Sequence, residues 1–233
     1  MHQVVSALVV GLTPIYLGLT IGVFTVSLFI WLFFNHGFDK IFHPQEWHDA
    51  GSAGERILYR TLIDELGIPE KQFLRNLYLP RRGGKTAELD LVLISKKAIF
   101  VFECKNYDGQ IYGDARRRFW VQYLHQRRHR FYSPLLQNRY HVLYLREFLA
   151  NKNIEVPIIP LLATITRGQW HLHHLQANDY VLGLNCRFQE IYQSLPDCEV
   201  IIANYQKLIS LLTPLSRPDE SIKQKHRQQI KRR

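Results

Sequence analysis

The amino-acid sequence predicts an α/β domain in which a mixed β-sheet is covered by helices on both faces, preceded by one transmembrane helix. Two β-rich runs, residues 88–94 and 98–105, are apolar on both faces, and such strands need cover on both sides. One face carries Val92, Ile94, Ile99 and Val101, and the other carries Leu91, Leu93, Phe100 and Phe102. Segments with helical spacing of apolar residues flank these runs, and a long apolar stretch opens the chain.

Residues 1–38 contain no Asp, Glu, Lys or Arg, and residues 4–34 are almost wholly apolar. This stretch exceeds the roughly 20 residues that span a bilayer, so the helix would tilt, kink near Pro14 or begin after it. A cleaved signal peptide is the alternative, but it requires a basic start, a shorter apolar core and a small-residue cleavage site, none of which is clear. We therefore expect a retained anchor over 1–38, in contact with lipid through residues 4–34, and a juxtamembrane linker over 39–50.

Charge predicts the orientation of this anchor. Only His2 and the amino terminus precede it, whereas Lys40, Arg56 and Arg60 follow it, so the positive-inside rule places the large domain in the cytoplasm. The expected location is the inner cell membrane, crossed once. The cysteines are odd in number and lack metal-knuckle spacing, which favours reduced thiols: Cys104, Cys186 and Cys198.

The two β-rich runs are separated only by residues 95–97, which is typical of a hairpin. If the last two of these residues form the turn, Asp90 lies opposite Glu103, and Glu88 lies opposite Lys105. A loop of odd length would make these contacts diagonal.

Asp90, Glu103 and Lys105 form the candidate chemical centre. Because side chains alternate along a strand, Glu103 and Lys105 share a face, and Cys104 points to the other side. Like charges opposite each other are destabilising, and a divalent cation between Asp90 and Glu103 would turn that repulsion into coordination. Two acids and a lysine in one patch favour metal-assisted phosphodiester cleavage. The alternative is a buried salt bridge in which Lys105 neutralises Glu103.

Flanking segments supply the helices and a further strand. Apolar residues recur at helical spacing over 52–66, Gly67 follows, and Glu55 lies in the first turn of this predicted helix. Residues 108–113 predict a turn that leads into a short strand. Residues 133–150 predict a second long helix, with an N-cap serine and a proline at its first position.

The chain over 151–215 is expected to complete the same domain. Residues 156–165 predict a buried strand whose two prolines indicate an edge or a broken element. Residues 179–184 predict one more strand, and residues 199–212 predict a closing helix. Residues 216–233 are polar and basic, and they predict a mobile or weakly helical tail that adds to polyanion binding.

Several short motifs follow one another in this domain: Gly54-Glu55, residues 86–90, residues 102–106, residues 109–113, Trp120, Ser133-Pro134 and Gln137-Asn138. In this order they resemble the NERD, or nuclease-related, domain of the PD-(D/E)XK restriction-endonuclease-like superfamily, over about residues 51–150. Two positions depart from the family's pattern. Cys104 stands where an aliphatic residue is usual, and Ser133 stands where asparagine is frequent.

The resemblance implies a restriction-endonuclease-like core with an active site at Asp90, Glu103 and Lys105, supported by Glu55 and Gln137. Asp90 and Glu103 would bind Mg²⁺ or Mn²⁺, and Lys105 would orient the attacking water or stabilise charge on the phosphate. Glu55 would complete the metal shell or position its helix, although a carboxylate at a helix N-terminus is favourable in itself. Gln137 would hold the substrate or the lysine, or would only cap exposed backbone.

The formal net charge of +10 belongs entirely to the chain after residue 38, which favours polyanionic partners. Arginines there flank aromatic residues, a mixture suited to phosphates and unstacked bases. The predicted nucleic-acid contacts are Arg116, Arg117, Arg118, Trp120, Arg127, Arg128 and Arg130. Alternatively, Trp120 belongs to the core, and the arginines are solvated or touch anionic lipid.

The leading hypothesis is a membrane-anchored, metal-dependent nuclease that acts on DNA, with RNA as the alternative substrate. A second hypothesis is an inactive nuclease fold that binds nucleic acid at the membrane. A third is an envelope protein whose partner is a protein or lipid. A phosphate-binding loop at residues 84–86 is rejected because the segment leads into a strand.

Overall fold

The structure, a computed structural model, describes residues 50–165, 168–183, 188–216 and 219–231. The predicted transmembrane segment at 1–38 lies outside these ranges, as does nearly all of the predicted linker. Among the residues that are described, no helix is long and apolar enough to cross a bilayer.

Helices alternate with groups of strands along the described chain. The helices are α1 (Ala50–Leu66), α2 (Pro134–Ala150), α3 (Phe188–Ser194), α4 (Glu199–Leu212) and α5 (Glu220–Lys231). The strands are β1 (Phe73–Arg81), β2 (Lys85–Ile94), β3 (Ile99–Lys105), β4 (Gln110–Asp114), β5 (Phe119–Leu124), β6 (Arg127–Tyr132), β7 (Ile158–Thr164), β8 (Gln169–His173) and β9 (Tyr180–Leu182).

The main sheet has the strand order β1-β2-β3-β7-β9. β1, β2 and β3 are antiparallel neighbours, whereas β7 pairs in parallel with β3 and with β9, so the sheet is mixed. Helices α2 and α4 cover one face, and α1 and α3 cover the other. This confirms the predicted mixed sheet with helices on both faces.

The apolar residues of β2 and β3 divide between the two faces as predicted. The face toward α2 and α4 carries Val92, Ile94, Ile99 and Val101. The face toward α1 and α3 carries Leu91, Leu93, Phe100 and Phe102. Each of these side chains is at most 1% exposed, and full burial of a side chain of this size stabilises a fold by about 1.5–3 kcal/mol.

A second sheet follows the carboxyl end of β3 and has the strand order β6-β5-β4-β8. The sequence predicted only β4. β5 and β6 form a hairpin whose turn residues, His125 and Gln126, have φ of 45° and 65°. Trp120 lies on the inner face, 1% exposed, where it packs with Ile111 and Leu135.

Two glycines allow this sheet to pack. A Cβ atom at Gly113 would lie 2.6 Å from the Trp120 ring, which is closer than real Cβ contacts. At Gly109, φ is +80°, and a Cβ atom would lie 2.2 Å from the carbonyl oxygen of Tyr123. Close packing therefore explains why residues 109 and 113 are glycines.

β7 differs from its prediction as an edge or broken strand, because it lies between β3 and β9. Pro160 pairs in register with Val101 of β3, whereas β9 pairs only with residues 161–163. The proline, which has no N–H to donate, therefore lies outside the part of β7 that has partners on both sides.

The basic C-terminal segment, predicted as a mobile or weakly helical tail, is helical in the structure. Over Glu220–Lys231 it forms α5, which packs on β2 of the main sheet. Its His226 is buried, with Nδ1 lying 2.9 Å from Thr86 Oγ1. The side-chain oxygen of Gln229 accepts a hydrogen bond from the Thr86 N–H at 3.2 Å. These contacts tie α5 to β2.

Candidate active site

The β2–β3 hairpin carries three of the predicted site residues. Ile94 pairs with Ile99, so the turn is centred on residues 96 and 97, as predicted. The Ser95 hydroxyl donates to the Ala98 carbonyl at 2.9 Å and stabilises that turn. The pairing ends at Leu91 and Phe102, so Asp90 and Glu103 are the next residues of the two strands but are not themselves a backbone pair.

The pairing of β1 with β2 is interrupted beside Asp90. Residues on either side are paired, but Asn76 and Asp90 are skipped. Asn76 has φ of 48°, a left-handed conformation that asparagine adopts more readily than most residues. Leu89 packs in the same core cluster as Val92, although strict alternation would place them on opposite faces. At Asp90, β2 therefore changes which of its alternate side chains point toward α2 and α4.

Glu103 is wholly buried and has two basic neighbours. Its Oε1 accepts a hydrogen bond from Lys105 Nζ, and its Oε2 lies 3.2 Å from Nδ1 of His141 in α2. Burial alone would raise the pKa of Glu103, but the charge of Lys105 and the contact with His141 outweigh it and hold that pKa below its ordinary value. Burial likewise opposes the charged form of Lys105, yet the charges of Glu103 and Asp90 raise the Lys105 pKa. Both groups therefore stay charged near neutral pH.

Asp90 belongs to the same cluster. Its Oδ2 accepts a hydrogen bond from the Cys104 N–H at 2.9 Å. Burial, followed by the negative charge of Glu103, raises the pKa of Asp90 well above its usual range. Burial also raises the pKa of the Cys104 thiol, which packs on the opposite face of β3 and is not an activated nucleophile.

Glu55 reaches the cluster from α1. Because α1 begins at Ala50, Glu55 lies beyond the first turn, contrary to the prediction, and its role as a carboxylate at the helix N-terminus is disfavoured. Gly54 lets the helix approach β3, since a Cβ there would lie 3.3 Å from Cys104 Sγ. Burial, followed by the charges of Glu88 and Glu103, raises the pKa of Glu55 to about 7.

Glu55→Gln is expected to stabilise the metal-free protein at pH 8 but not at pH 4.5. The raised pKa means that the folded state keeps a proton that the unfolded chain loses, so stability falls as pH rises from about 4.5 to about 7. Each factor of ten in the acid constant is worth about 1.4 kcal/mol, and with partial exposure of Glu55 we expect a gain of about 1–3 kcal/mol. Urea unfolding of the full chain in detergent and EDTA measures it. Glu155→Gln, at an exposed position, is the control. Equal gains in both variants would contradict the claim that burial of the charged Glu55 carboxylate lowers stability.

Helix α2 makes two contacts that the sequence did not predict, through His141 and Asn138. Gln137, the predicted support, is half-buried in its first turn, and its side chain makes no hydrogen bond within the described chain. His141 lies one helical turn further on the same face and contacts Glu103. Asn138 is buried, and its amide donates to the carbonyls of Val101 and Leu161 at 2.8 and 2.9 Å, which fixes α2 to β3 and β7.

A second polar group lies next to the cluster. The hydroxyl of Tyr78 donates to Glu88 Oε1 at 2.6 Å, and His226 Nε2 of α5 lies 3.4 Å from Glu88 Oε2. Burial, followed by the hydrogen bond to Glu88, raises the pKa of Tyr78. The charge of Glu88 contributes to the raised pKa of Glu55. Through His226, α5 therefore contacts a residue that affects the candidate site.

The predicted nucleic-acid contacts divide into two groups. The prediction is wrong for Trp120, which is buried and donates from Nε1 to the Asp114 carbonyl at 3.0 Å, so it is not available to stack on a base. The predicted arginines are all exposed: Arg116, Arg117, Arg118, Arg127, Arg128 and Arg130.

A groove of about 630 Å³ lies elsewhere, between α2 and the β7–β9 edge. Its lining includes Tyr140, Leu143 and the ion pair of Arg139 with Asp179, at 2.5 Å. None of the candidate catalytic residues lines it. The groove and the candidate catalytic cluster are therefore separate sites.

The donor set of the cluster fits a small hard cation. Among the residues described, no group of three or more His, Cys, Asp and Glu side chains is arranged to hold a metal ion. Mg²⁺ does not need such a cage, because it is usually bound by one or two carboxylates, waters and substrate phosphates. Asp90 and Glu103 supply two carboxylates. Within the described chain, the buried Oε2 of Glu103 lies 3.2 Å from His141 Nδ1 and is the oxygen that Lys105 does not contact, so it is the atom suited to such a ligand role.

Comparison with known proteins indicates the family of the domain. Residues 50–165 match the family model of the nuclease-related domain, NERD. Over 185 residues the chain is 26% identical to an uncharacterized protein of Bacillus anthracis, and the match covers 79% of this chain and 84% of that protein. No solved structure matches the chain significantly. The matched range includes α1, β1 to β7 and α2, which carry all the candidate catalytic residues. The chain therefore carries a nuclease-related domain at residues 50–165.

Proposed function

We propose that this chain is a metal-dependent nuclease that hydrolyses phosphodiester bonds of DNA, with RNA as the alternative substrate. The observation that carries the proposal is the buried pair of Lys105 with Glu103 and the Asp90 carboxylate held on the neighbouring Cys104 N–H, within a nuclease-related domain. A structural salt bridge accounts for the pairing of Lys105 with Glu103. It does not account for two further carboxylates whose charges are mutually unfavourable, and a cation would offset that repulsion.

The residues of the cluster would divide the work. Asp90 and Glu103 would hold Mg²⁺ or Mn²⁺, and Glu55 would add negative charge from α1 without being a ligand. A cation bound there supplies positive charge that polarises the scissile phosphate and lowers the pKa of the attacking water. Lys105 stays protonated, so it donates to the phosphate or to the water and does not act as a base. His141 holds the carboxylate of Glu103 in place.

The direct test is hydrolysis by the full chain in detergent, with labelled single-stranded and duplex DNA and RNA. We expect cleavage with Mg²⁺ or Mn²⁺ and none in EDTA. A Glu103→Gln preparation purified in parallel controls for contaminating nuclease. If neither ion supports hydrolysis of any of the four substrates, the chain is not a nuclease of this kind. If hydrolysis is equally fast in EDTA, the reaction does not depend on a metal.

An inactive nuclease fold that binds nucleic acid at the membrane is the second candidate. It is favoured by the contact of Lys105 with Glu103, because the lysine already occupies one oxygen of a proposed ligand. In that case no hydrolysis would be seen, binding would weaken with salt, and Glu103→Gln would leave binding unchanged.

We further propose that the domain is held on the cytoplasmic face of the inner membrane by residues 4–34. The uncharged stretch over 1–38 and the basic residues after it support this placement. Deletion of residues 4–34 should move the chain from the membrane fraction to the soluble fraction. Recovery of the intact chain in the soluble fraction would contradict the proposal.

A further inference from the structure

We propose that the outer face of the second sheet is a platform for single-stranded nucleic acid, with bases packing on Tyr112, Phe119 and Tyr123 and phosphates contacting Arg128 and Arg130. The proposal deepens the proposed function, on which it rests for its purpose, by naming the form of the substrate. The binding itself does not require the reaction.

Strand register places these residues on one face. Tyr112 of β4 pairs with Val121 of β5, and Val121 pairs with Arg130 of β6. Tyr123 of β5 pairs with Arg128 of β6. Because side chains alternate along a strand, residues 119, 121 and 123 point away from the inner face that holds the buried tryptophan. The outer face therefore combines aromatic residues of two strands with arginines of a third.

The aromatic side chains are open to a ligand. Tyr112, Phe119 and Tyr123 are 44%, 40% and 46% exposed. The Tyr112 ring stacks on His171 with centroids 4.6 Å apart, and it meets the Tyr123 ring edge to face at 5.8 Å. A single exposed aromatic residue is ordinary, but several on one sheet face form a patch that marks a binding surface. Their exposed rings also offer the stacking surfaces that unpaired bases use.

Guanidinium groups lie against these rings. The Cζ of Arg130 is 4.0 Å from the centroid of Phe119, and the Cζ of Arg118 lies 5.6 and 5.7 Å from the centroids of Phe119 and Tyr132. Cation–π contacts of this kind hold the cations beside the places where bases would stack. Phosphates of a bound strand would then meet positive charge at each step.

The arginines of this region differ in their partners. Arg116 and Arg117 lie 3.6 and 3.8 Å from carboxylate oxygens of Asp114, so their charge is partly neutralised. In the part of the chain that the structure describes, no carboxylate pairs with Arg128 and Arg130 of the platform or with the neighbouring Arg118. Their charges are available to neutralise an external polyanion.

A single strand fits this surface better than a duplex does. In a duplex the bases stack on one another and hide their faces, whereas an unpaired base can stack on an aromatic ring at a gain of about 1–3 kcal/mol. The surface is also close to the candidate site along the chain. β4 begins five residues after Lys105, and such a segment spans at most about 18 Å. A strand bound along β4 would therefore lie near the cluster.

The experiment measures binding of labelled 20-nucleotide single-stranded DNA, single-stranded RNA and duplex DNA to the full chain in detergent and EDTA, where cleavage is suppressed. We expect single strands to bind at least about tenfold more tightly than duplex, and Tyr112→Ala or Tyr123→Ala to weaken that binding about tenfold each. Tyr140→Ala, at a tyrosine of α2 that is 48% exposed, is the matched control and should leave binding unchanged. Arg128→Ala should reduce the slope of log K against log salt by about 0.7.

Phenylalanine variants and circular dichroism control for folding. Tyr112→Phe and Tyr123→Phe keep the ring and should keep binding. The proposal is overturned if the alanine variants bind single strands as Tyr140→Ala does. It is also overturned if nanodiscs containing phosphatidylglycerol, and not oligonucleotides, protect β5 and β6 from hydrogen exchange, since the platform would then be a lipid surface.

The outcomes also separate this inference from the proposed function. Tyrosine-dependent binding without any metal-dependent cleavage would leave the platform in place and remove the nuclease. Cleavage that depends on Glu103 while the tyrosine variants bind normally would leave the nuclease and remove the platform.

Discussion

Glu103→Gln is expected to lower kcat/KM for phosphodiester hydrolysis by about 10³-fold or more, measured on protein that circular dichroism shows to be folded. The substitution keeps the shape of the side chain, and its amide oxygen still accepts from Lys105. What it removes is the negative charge on a wholly buried group that has Lys105 and His141 as neighbours. A neutral amide binds a hard cation far less well than a carboxylate does.

Metal binding gives the same experiment a second readout. Titration with Mn²⁺ should show weaker binding in Glu103→Gln and in Asp90→Asn, whereas Glu155→Gln should bind like the unaltered chain. Asp90→Asn retains an oxygen that can accept from the Cys104 N–H, so its fold should also be preserved. Loss of a metal ligand is expected to lower metal affinity or activity by about 10-fold or more. If both site variants stay within about threefold of the unaltered chain, only the salt-bridge interpretation of Glu103 remains.

The hairpin that carries the site was predictable because local rules decide it. A two-residue turn fixes the register of β2 with β3, and alternation fixes the faces of Glu103 and Lys105. Asp90 lies where the alternation of β2 changes, which the sequence did not predict. The N-cap serine and the proline at position 134 likewise defined α2. His141 was not identified, because its contact with Glu103 joins a helix to a strand far away in sequence, and no local pattern encodes it.

The second sheet was missed for a different reason. Its hairpin turns at His125 and Gln126, which adopt positive φ without the Asn-Gly signal that such turns usually carry. β6 is also largely exposed, so it lacks the apolar alternation of a core strand. Without β5 assigned as a strand, alternation could not show that Trp120 points inward and Phe119 outward. The aromatic–arginine pattern was recognised, but the wrong aromatic residue was placed on the surface.

Lys105→Met is expected to lower the free energy of unfolding in EDTA at pH 8 by about 3–5 kcal/mol, because it leaves a buried carboxylate without its main cation. His141 remains 3.2 Å from that carboxylate and reduces the loss. The loss should shrink at pH 5: without Lys105, burial raises the pKa of Glu103, and a protonated carboxyl carries no uncompensated charge. The double variant Glu103→Gln/Lys105→Met should recover most of the stability. Lys85→Met, at an exposed position, is the matched control.

Addition of Mg²⁺ to these variants distinguishes a cation site from a structural ion pair. If Asp90 and Glu103 hold a cation, Mg²⁺ should raise the Tm of Lys105→Met more than that of the unaltered chain, since the cation then replaces the missing ammonium group. A ligand present at about 100 times its Kd stabilises by about 2.7 kcal/mol, which is enough to offset much of the loss. The double variant, which lacks the charge of Glu103, should respond least. The same small response in all three proteins would mean that no cation binds these carboxylates, and the cluster would then be an ion pair around which an inactive nuclease-related fold is built.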